Sequence, residues 1–296
     1  MNFGQVLTAM VTPFDANGDI DFNATRALVN HLIANGSDGL VVGGTTGESP
    51  TLTSQEKIQL FQYVVQVVNN RVPVIAGTGS NNTRASIELT QQAEKAGVDA
   101  IMLVTPYYNK PSQEGLYQHF QTIAAATSLP VMLYNIPGRS AVNMAPETII
   151  RLSHIENIVS VKESSGDLDA ATQIINETAD DFSVYSGDDS LTLPMLSIGG
   201  AGIVSVSSHI IGSEMKHMVN SYLEGDVQFA ASLHGKLLPA MKALFAQPSP
   251  APVKAALNMT GVPVGGVRLP LVELTAEERH ILAQYIPHGR TEHAVI

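Results

Sequence analysis

Lys162 is the residue in this chain whose position most strongly suggests covalent chemistry. It follows the apolar run Ile158–Val161, whose β-branched residues predict a buried strand, and the polar stretch Glu163–Asp167 comes next. Burial disfavours an ammonium group, so an amine at the end of a buried strand is available in its neutral, nucleophilic form. The alternative is a lysine that simply reaches solvent where the strand ends. The run by itself leaves both interpretations open.

A second segment, Gly43–Ser49, could hold an anion. It follows another apolar run and places backbone N–H groups and the hydroxyls of Thr45 and Thr46 in a small space. Such a nest suits a carboxylate or a phosphate, although an ordinary tight turn between a strand and a helix fits the same residues. Phosphate sites usually include a basic side chain, and in an α/β barrel they often lie at the seventh or eighth strand. The eighth apolar run of this chain, Gly202–Val206, has no Lys or Arg around it. A small carboxylate is therefore the better prediction.

Two tyrosines and one arginine could support such chemistry. Tyr134 and Tyr108 lie at or just after the ends of predicted strands, and a phenol can donate and accept a proton within one turnover. Arg139 follows Tyr134 by five residues in a Pro-Gly turn, and its guanidinium group suits a second carboxylate. Packed aromatic rings and a solvated loop arginine are the alternatives.

Metal chemistry is disfavoured by the spacing of the metal-binding residue types. The nine histidines are scattered and form neither H-x-H nor H-E-x-x-H. Asp188 and Asp189 could bind a cation, but adjacent carboxylates in a loop are more often caps or hydrogen-bond acceptors. We therefore do not expect a metal-dependent aldolase.

These residues meet only if the strands before them belong to one sheet. Eight short, β-rich apolar runs recur at intervals of roughly 25–35 residues, which is the length of a strand, a helix and two loops. The runs are Val6–Val11, Gly39–Val42, Val74–Ala76, Ala100–Val104, Val131–Tyr134, Ile158–Val161, Ser183–Tyr185 and Gly202–Val206. The helical patterns between them are Phe22–Asn35, Thr53–Asn70, Thr83–Ala96, Glu114–Ala126, Glu147–Leu152, Leu168–Glu177 and Ser190–Leu196.

This alternation predicts an α/β fold with a parallel sheet. Eight units can close into a (β/α)8 TIM barrel, whose active site lies at the C-terminal ends of the strands. The polar residues named above all follow strands, so a barrel would place them at one mouth. An open doubly wound sheet is the main alternative, but the G-x-G-x-x-G turn of an NAD-binding sheet is absent.

The strand pattern stops after about residue 212, and only helical patterns follow. These patterns are Glu214–Leu223, Val227–Ala246, Pro252–Asn258 and Thr275–Gln284. No disordered linker separates them from the barrel. We therefore predict a catalytic barrel domain over residues 1–224 and a C-terminal helical region over residues 225–296.

Composition limits the classes of partner. Hydrophobic residues make up 44% of the 296 residues and charged residues 15%, which suits a globular protein with a large core. A net charge of −11 repels nucleic acid and anionic membranes, so neither is an expected partner. There is no cysteine, which excludes a disulfide framework and a thiol nucleophile. The first residues do not resemble a signal peptide, and no apolar stretch reaches the length of a membrane span, so we expect a cytoplasmic protein.

Three motifs together resemble the dihydrodipicolinate synthase family. They are Gly44–Ser49 (GTTGES), Tyr134–Arg139 (YNIPGR) and Val161–Asp167 (VKESSGD). This family belongs to the pyruvate-dependent class I aldolases, a superfamily that also contains N-acetylneuraminate lyase. The resemblance extends from Thr12-Pro13-Phe14 to Gly265–Pro270. The Pro-Gly-Arg after Tyr134 and the segment Pro106–Pro111 are the more specific markers of the synthase branch.

The resemblance implies a lyase that condenses pyruvate with L-aspartate 4-semialdehyde in lysine (diaminopimelate) biosynthesis, with no metal or organic cofactor. Lys162 would form a Schiff base with pyruvate, and Tyr134 would donate and accept protons. Thr45 and Tyr108 would complete a hydroxyl relay, with Tyr108 reaching in from a neighbouring subunit. That last role implies at least a dimer, and the family suggests a homotetramer built as a dimer of dimers.

The resemblance also implies which residues bind the substrates. Thr46 and neighbouring amides would hold the pyruvate carboxylate, and Arg139 would bind the carboxylate of the semialdehyde. Gly187 and Val204 would line the pyruvate site. Val204 is a mild departure, because this family position is often isoleucine.

Two other functions remain open from the sequence. One is another pyruvate-dependent lyase, such as N-acetylneuraminate lyase or a sugar keto-acid aldolase, which Arg139 argues against because such lyases hold no second carboxylate there. The other is a catalytically silent barrel that serves as a binding protein. The intact set of Lys162, Tyr134, Thr45, Thr46 and Arg139 argues against it.

Feedback inhibition is where the chain departs from the family pattern. In lysine-inhibited members the effector site lies beside Tyr107 and uses imidazoles on the helix after Ser49 and a carboxylate on the helix after Asn81. Here that first helix offers Ser54 and Lys57, and the matching carboxylate position is Ala85. An effector ammonium would lose its ionic partner, so we expect weak or absent inhibition by lysine.

Overall fold

The computed structural model describes residues 2–286, and they form a closed barrel of eight parallel strands. Strands β1 to β8 neighbour one another in chain order, and β8 pairs with β1. The strands are β1 (Val6–Ala9), β2 (Gly39–Val42), β3 (Val74–Gly77), β4 (Ala100–Val104), β5 (Val131–Asn135), β6 (Ile158–Glu163), β7 (Ser183–Ser186) and β8 (Gly202–Ser205). The predicted (β/α)8 barrel is therefore confirmed.

Helices surround the barrel and continue past its last strand. They are α1 (Phe22–Ala34), α2 (Ser54–Val68), α3 (Thr83–Lys95), α4 (Gln113–Ala124), α5 (Pro137–Ser140), α6 (Pro146–Ser153), α7 (Leu168–Glu177), α8 (Thr192–Ser197), α9 (Ser208–Leu223), α10 (Val227–Ala243), α11 (Ala251–Met259) and α12 (Ala276–Ala283). Helix α2 begins with a capping box, in which the Thr53 and Glu56 side chains each accept the other residue's backbone N–H.

The strands are apolar because both of their faces are covered. Side chains that point into the barrel form one cluster, which includes Leu7, Val41, Ile75, Met102 and Met132. Side chains that point outward pack against the helices in a larger cluster. Neither face can carry exposed charge, so a polar side chain is readily accommodated only near the strand ends.

Strands β5 and β6 are longer than predicted. The predicted Val131–Tyr134 extends to Asn135, and Ile158–Val161 extends to Glu163. Lys162 thus lies within a strand rather than after one, in register with Tyr134 on β5 and Tyr185 on β7. The extension is possible because the two added polar ends, Asn135 and Glu163, are buried and bond to each other.

Differences from the prediction also occur in β1, in α9 and in the turn that carries Arg139. Strand β1 ends at Ala9 rather than Val11. The Val11 N–H donates to the His209 imidazole and so is not available for a hydrogen bond to a neighbouring strand. The helix predicted over Glu214–Leu223 begins earlier, at Ser208, and has a non-helical residue at Ile211. The Pro-Gly turn that carries Arg139 is a single helical turn, α5.

The region after the barrel is helical, as α10, α11 and α12 show. Residues 287–296 of the predicted C-terminal region lie outside the described residues. Within residues 2–286, no helix is both long and apolar enough to cross a membrane.

Candidate active site

Lys162 is buried beside an aromatic ring. Its side chain projects from β6 at the C-terminal end of the barrel, and only 5% of the residue is exposed. The Nζ atom lies 4.2 Å from the centroid of the Tyr134 ring, which the register of β5 and β6 places alongside. Lys162 makes no ion pair with any other residue in the range 2–286. An amine held against a phenol in a buried position is suited to attack a carbonyl and to exchange protons.

Gly187 gives Lys162 the space that it occupies. A Cβ atom at this position would lie 1.7 Å from Ser164 Oγ and 2.8 Å from Lys162 Cε. The Gly187 N–H donates to the Glu163 carbonyl at 2.8 Å, so the backbone cannot move away freely. A larger side chain here would therefore force the Ser164 hydroxyl and the end of the Lys162 side chain to move.

The Gly43–Ser49 segment is a tight turn with unused donors. It is closed by the Glu48 N–H to the Thr45 carbonyl at 3.0 Å and by the Ser49 N–H to the Gly44 carbonyl at 3.2 Å. The N–H groups of Thr45 and Thr46 donate no hydrogen bond to other residues of the described chain. Thr46 is buried, so these donors are available to an anion rather than fully hydrated.

Two cavities open at this end of the barrel and meet at Arg139. The first, of about 420 Å³, is lined by Thr45, Tyr134 and Arg139 and extends between α2 and the β3–α3 loop. The second, of about 360 Å³, is lined by Arg139 and Gly187 and reaches α10. Arg139 thus lines both cavities. This is the position expected of a group that binds the distal end of a second substrate.

Four of the predicted site residues, Lys162, Thr46, Val204 and Tyr108, do not line either cavity. Lys162 and Thr46 are buried next to the lining residues Tyr134 and Thr45. Val204 is buried in β8 and packs in the cluster inside the barrel together with Tyr134 and Tyr185. Tyr108 is 89% exposed, has a left-handed backbone with φ of 74°, and does not line either cavity. A single chain therefore does not bring Tyr108 to Lys162.

The sequence analysis missed a polar pair that fixes the ends of β5 and β6. Asn135 Nδ2 donates to Glu163 Oε2 at 3.0 Å and to Asn143 Oδ1 at 2.8 Å, and Glu163 Oε1 accepts the Ser165 N–H at 2.6 Å. Burial raises the pKa of Glu163 above its usual range, although these hydrogen bonds oppose the shift. Asn135 directly follows Tyr134, and Glu163 directly follows Lys162. This adjacency to the proposed catalytic residues was the available sign of the pair in the sequence.

It also missed the residues behind the Gly43–Ser49 turn. The side chain of Glu48 is fully buried and its Oε1 lies 2.7 Å from Lys254 Nζ on α11. The backbone N–H of Arg268 donates to Glu48 Oε2 at 2.9 Å. A charged residue inside a glycine-rich turn was the only hint of this arrangement in the sequence.

The chain matches known proteins along nearly its whole length. The model of the dihydrodipicolinate synthetase family matches residues 2–288. A protein of Bacillus subtilis (strain 168) named 4-hydroxy-tetrahydrodipicolinate synthase is 63% identical over 287 residues, which are 97% of this chain and 99% of that relative.

Solved structures agree with the barrel. The crystal structure of a dihydrodipicolinate synthase from Bacillus anthracis superposes with a TM-score of 0.95 at 60% identity, covering 96% of this chain and 98% of that one. The structure of DHDPS from Cyanidioschyzon merolae with lysine bound gives a TM-score of 0.94 at 47% identity, covering 96% and 97% of the two chains.

Proposed function

The chain belongs to the dihydrodipicolinate synthetase family, and from this membership we propose that it joins pyruvate to L-aspartate 4-semialdehyde through a Schiff base on Lys162. It is a lyase of the class I aldolase type and a 4-hydroxy-tetrahydrodipicolinate synthase of lysine biosynthesis, as its relatives are named. The observation that carries the role of Lys162 is its buried amine, 4.2 Å from the Tyr134 ring.

Lys162 begins the proposed reaction. Its neutral Nζ attacks the keto carbon of pyruvate, water leaves, and an iminium forms. The iminium withdraws electrons from the pyruvate methyl group, so Tyr134, assisted by Thr45 and a partner's Tyr108, removes a methyl proton and leaves an enamine. The free amides of the turn and Thr46 hold the carboxylate while this occurs.

Arg139 serves the second half of the reaction. It binds the carboxylate of the semialdehyde at the junction of the two cavities. The enamine carbon attacks the aldehyde carbon, and the resulting alkoxide takes a proton from the Tyr134 relay. The amine of the new chain then attacks the iminium carbon, closes the ring and releases Lys162 as a free amine.

Borohydride trapping tests the nucleophile. We expect pyruvate plus borohydride to add one reduced pyruvate to the chain and peptide mapping to place it on Lys162. The matched control is Lys57, a lysine that lines the 420 Å³ cavity: Lys57→Ala should keep the adduct and Lys162→Ala should lose it while remaining folded. An unmodified chain would favour the catalytically silent barrel. An adduct on Lys57 would show that Lys57, and not Lys162, is the nucleophile.

A second incubation separates the synthase from the alternative lyases. Pyruvate with L-aspartate 4-semialdehyde should be consumed, whereas pyruvate with N-acetylmannosamine should not. The reverse preference would support a sugar keto-acid lyase and would leave Arg139 without its proposed role. The cytoplasmic location and the dimer of dimers expected from the sequence belong to this proposal as well.

A further inference from the structure

The turn that faces the substrate carboxylate is held from behind by a buried ion pair. Glu48 lies in this turn, and Lys254 reaches it from α11, outside the barrel. Their side chains are 0% and 2% exposed, and Lys254 Nζ lies 2.7 Å from Glu48 Oε1. Lys254 Nζ also donates to the Gly266 carbonyl at 2.7 Å. Both charges are thus removed from water and lie against each other.

The backbone of Glu48 is strained where the turn needs it. Its φ of 57° and ψ of 37° lie in the left-handed region, which residues other than glycine rarely occupy. Such a conformation persists only when surrounding contacts enforce it. The contacts here are backbone hydrogen bonds to Thr45 and from Thr51, together with those of the Glu48 side chain to Lys254 and Arg268.

Phe14 and Arg268 complete the surroundings of the buried ion pair. Phe14 lies under both cations, with Lys254 Nζ 4.1 Å and Arg268 Cζ 4.4 Å from the ring centroid. The Arg268 guanidinium donates to the Gly18 and Thr51 carbonyls at 2.8 Å and pairs with Glu56 at the start of α2. The side of the turn that faces away from the substrate site therefore packs against the segment that follows α11.

An ion pair of this kind does little for stability on balance, because the cost of removing both charges from water offsets their attraction. We propose, on the basis of the proposed function, that Glu48 and Lys254 are positioning residues that hold the Thr45 and Thr46 amides in place for the pyruvate carboxylate. Helix α11 thereby shapes a substrate site whose two cavities it does not line.

A double substitution tests this separately from folding. Glu48→Gln with Lys254→Met removes both charges and keeps the side-chain volumes, so it leaves no lone buried charge to unfold the chain. The matched control is Asp38→Asn with Lys216→Met, which removes a partly buried ion pair at the opposite, N-terminal end of the strands. Both double variants are assayed for Tm, for kcat, for the KM of each substrate, and for the pyruvate concentration that half-saturates borohydride trapping.

We expect the Glu48/Lys254 variant to raise the KM for pyruvate and the half-saturating concentration by about tenfold or more, as the loss of a well-placed hydrogen bond to a charged group would. Its kcat and its KM for the semialdehyde should change far less. The control should alter Tm alone. A folded Glu48/Lys254 variant with the parental pyruvate dependence would overturn the proposal. Absence of any adduct in the unaltered enzyme would instead overturn the proposed function.

The unaltered enzyme supplies a second measurement if the variant fails to fold. Burial lowers the pKa of Lys254 to about 8, although Glu48 opposes the shift. Glu48 contacts this lysine, Arg268 lies over the same Phe14 ring, and Glu273 and Arg279 line the cavity beside it. Above about pH 8 the folded chain holds fewer protons here than the unfolded chain, so this group makes folding more favourable as pH rises.

The same deprotonation breaks the pair and should loosen the turn. The KM for pyruvate should therefore rise between about pH 8 and 9 while Lys254 itself adds no loss of Tm. The Lys254→Arg variant keeps its charge at these pH values and should not show the rise. A pyruvate KM that is flat in the unaltered enzyme, or that rises equally in Lys254→Arg, would contradict the positioning role.

Discussion

At Lys162 the space of one methyl group decides whether the amine can occupy its place. Gly187 lies against the side chains of Lys162 and Ser164, and a Cβ atom here would displace both. On its other side, the Tyr134 ring fixes the position of Nζ. Because packed interiors yield little to overlap of this size, the geometry of the nucleophile depends on the residue opposite it as much as on its own strand.

Gly187→Ala should therefore damage catalysis more than stability. The new Cβ would overlap Ser164 Oγ and Lys162 Cε and push the amine away from Tyr134. We expect kcat to fall about 100-fold, since a displacement of about 1 Å in a reacting group has an effect of this order. Steady-state kinetics and the rate of borohydride trapping measure it.

Gly138→Ala is the matched control, because it lies in α5 next to Arg139 and a Cβ there meets nothing within 4 Å. It should retain kcat and gain slightly in Tm, as a glycine replaced within a helix does. If both variants keep full activity, the space around Lys162 is not limiting and the steric argument is wrong.

At the scale of elements, the strand ends show what periodicity could and could not predict. Short apolar runs predicted every strand of the barrel, but they placed the ends of β5 and β6 too early. Asn135 and Glu163 interrupt the apolar pattern, yet they extend the strands because each satisfies the other's polar groups. Such a pairing joins residues 28 positions apart, so no local pattern reports it.

Helices α2 and α3 carry the predicted loss of lysine inhibition. Lys57 of α2 lines the 420 Å³ cavity beside Ser49 and Tyr107, and burial lowers its pKa. Ala85 of α3 offers no carboxylate to an effector ammonium. We therefore expect initial rates to stay unchanged by L-lysine at concentrations that saturate inhibited relatives. Strong, saturable inhibition at sub-millimolar lysine would contradict this.

Restoring the missing groups should restore binding. Lys57→His with Ala85→Glu removes the like charge and adds a carboxylate, so calorimetry should detect lysine binding that the unaltered chain lacks. Lys57→His with Ala85→Gln is the control, because it has the same shape without the charge and should bind weakly. Equal binding by both variants would show that the carboxylate is not what the site lacks.

At the scale of the whole molecule, the barrel could be predicted and its support could not. Eight repeats of strand and helix can close into a barrel, and closure places Lys162, Tyr134 and the turn at Gly43–Ser49 at the C-terminal ends of the strands. The contact between Glu48 and Lys254 joins residues more than 200 positions apart, and the charge of Glu48 within a glycine-rich turn is its only sign in the sequence. The division into residues 1–224 and 225–296 stays a prediction, and this contact crosses it.

Tyr108 points to the assembly. A large aromatic side chain that is 89% exposed on a left-handed backbone is unusual for an isolated chain. Its loop is held in place, since Asn81 Nδ2 donates to the Tyr107 carbonyl at 3.2 Å and Asn109 Nδ2 to the Asn81 carbonyl at 3.0 Å. An ordered loop that presents a tyrosine outward fits the proposal that the phenol completes the site of a second copy.

Subunit complementation tests this directly. Lys162→Ala removes the nucleophile, and Tyr108→Phe removes the hydroxyl offered to the partner, so each pure variant should have little activity. In a mixed dimer, the Tyr108→Phe subunit has an intact Lys162 and receives Tyr108 from the Lys162→Ala subunit. Co-expressed or refolded mixtures should therefore recover activity in one site of each mixed dimer, up to about a quarter of the parental rate for random mixing within dimers. A mixture no more active than the average of its two components would mean that Tyr108 acts within its own chain or not at all.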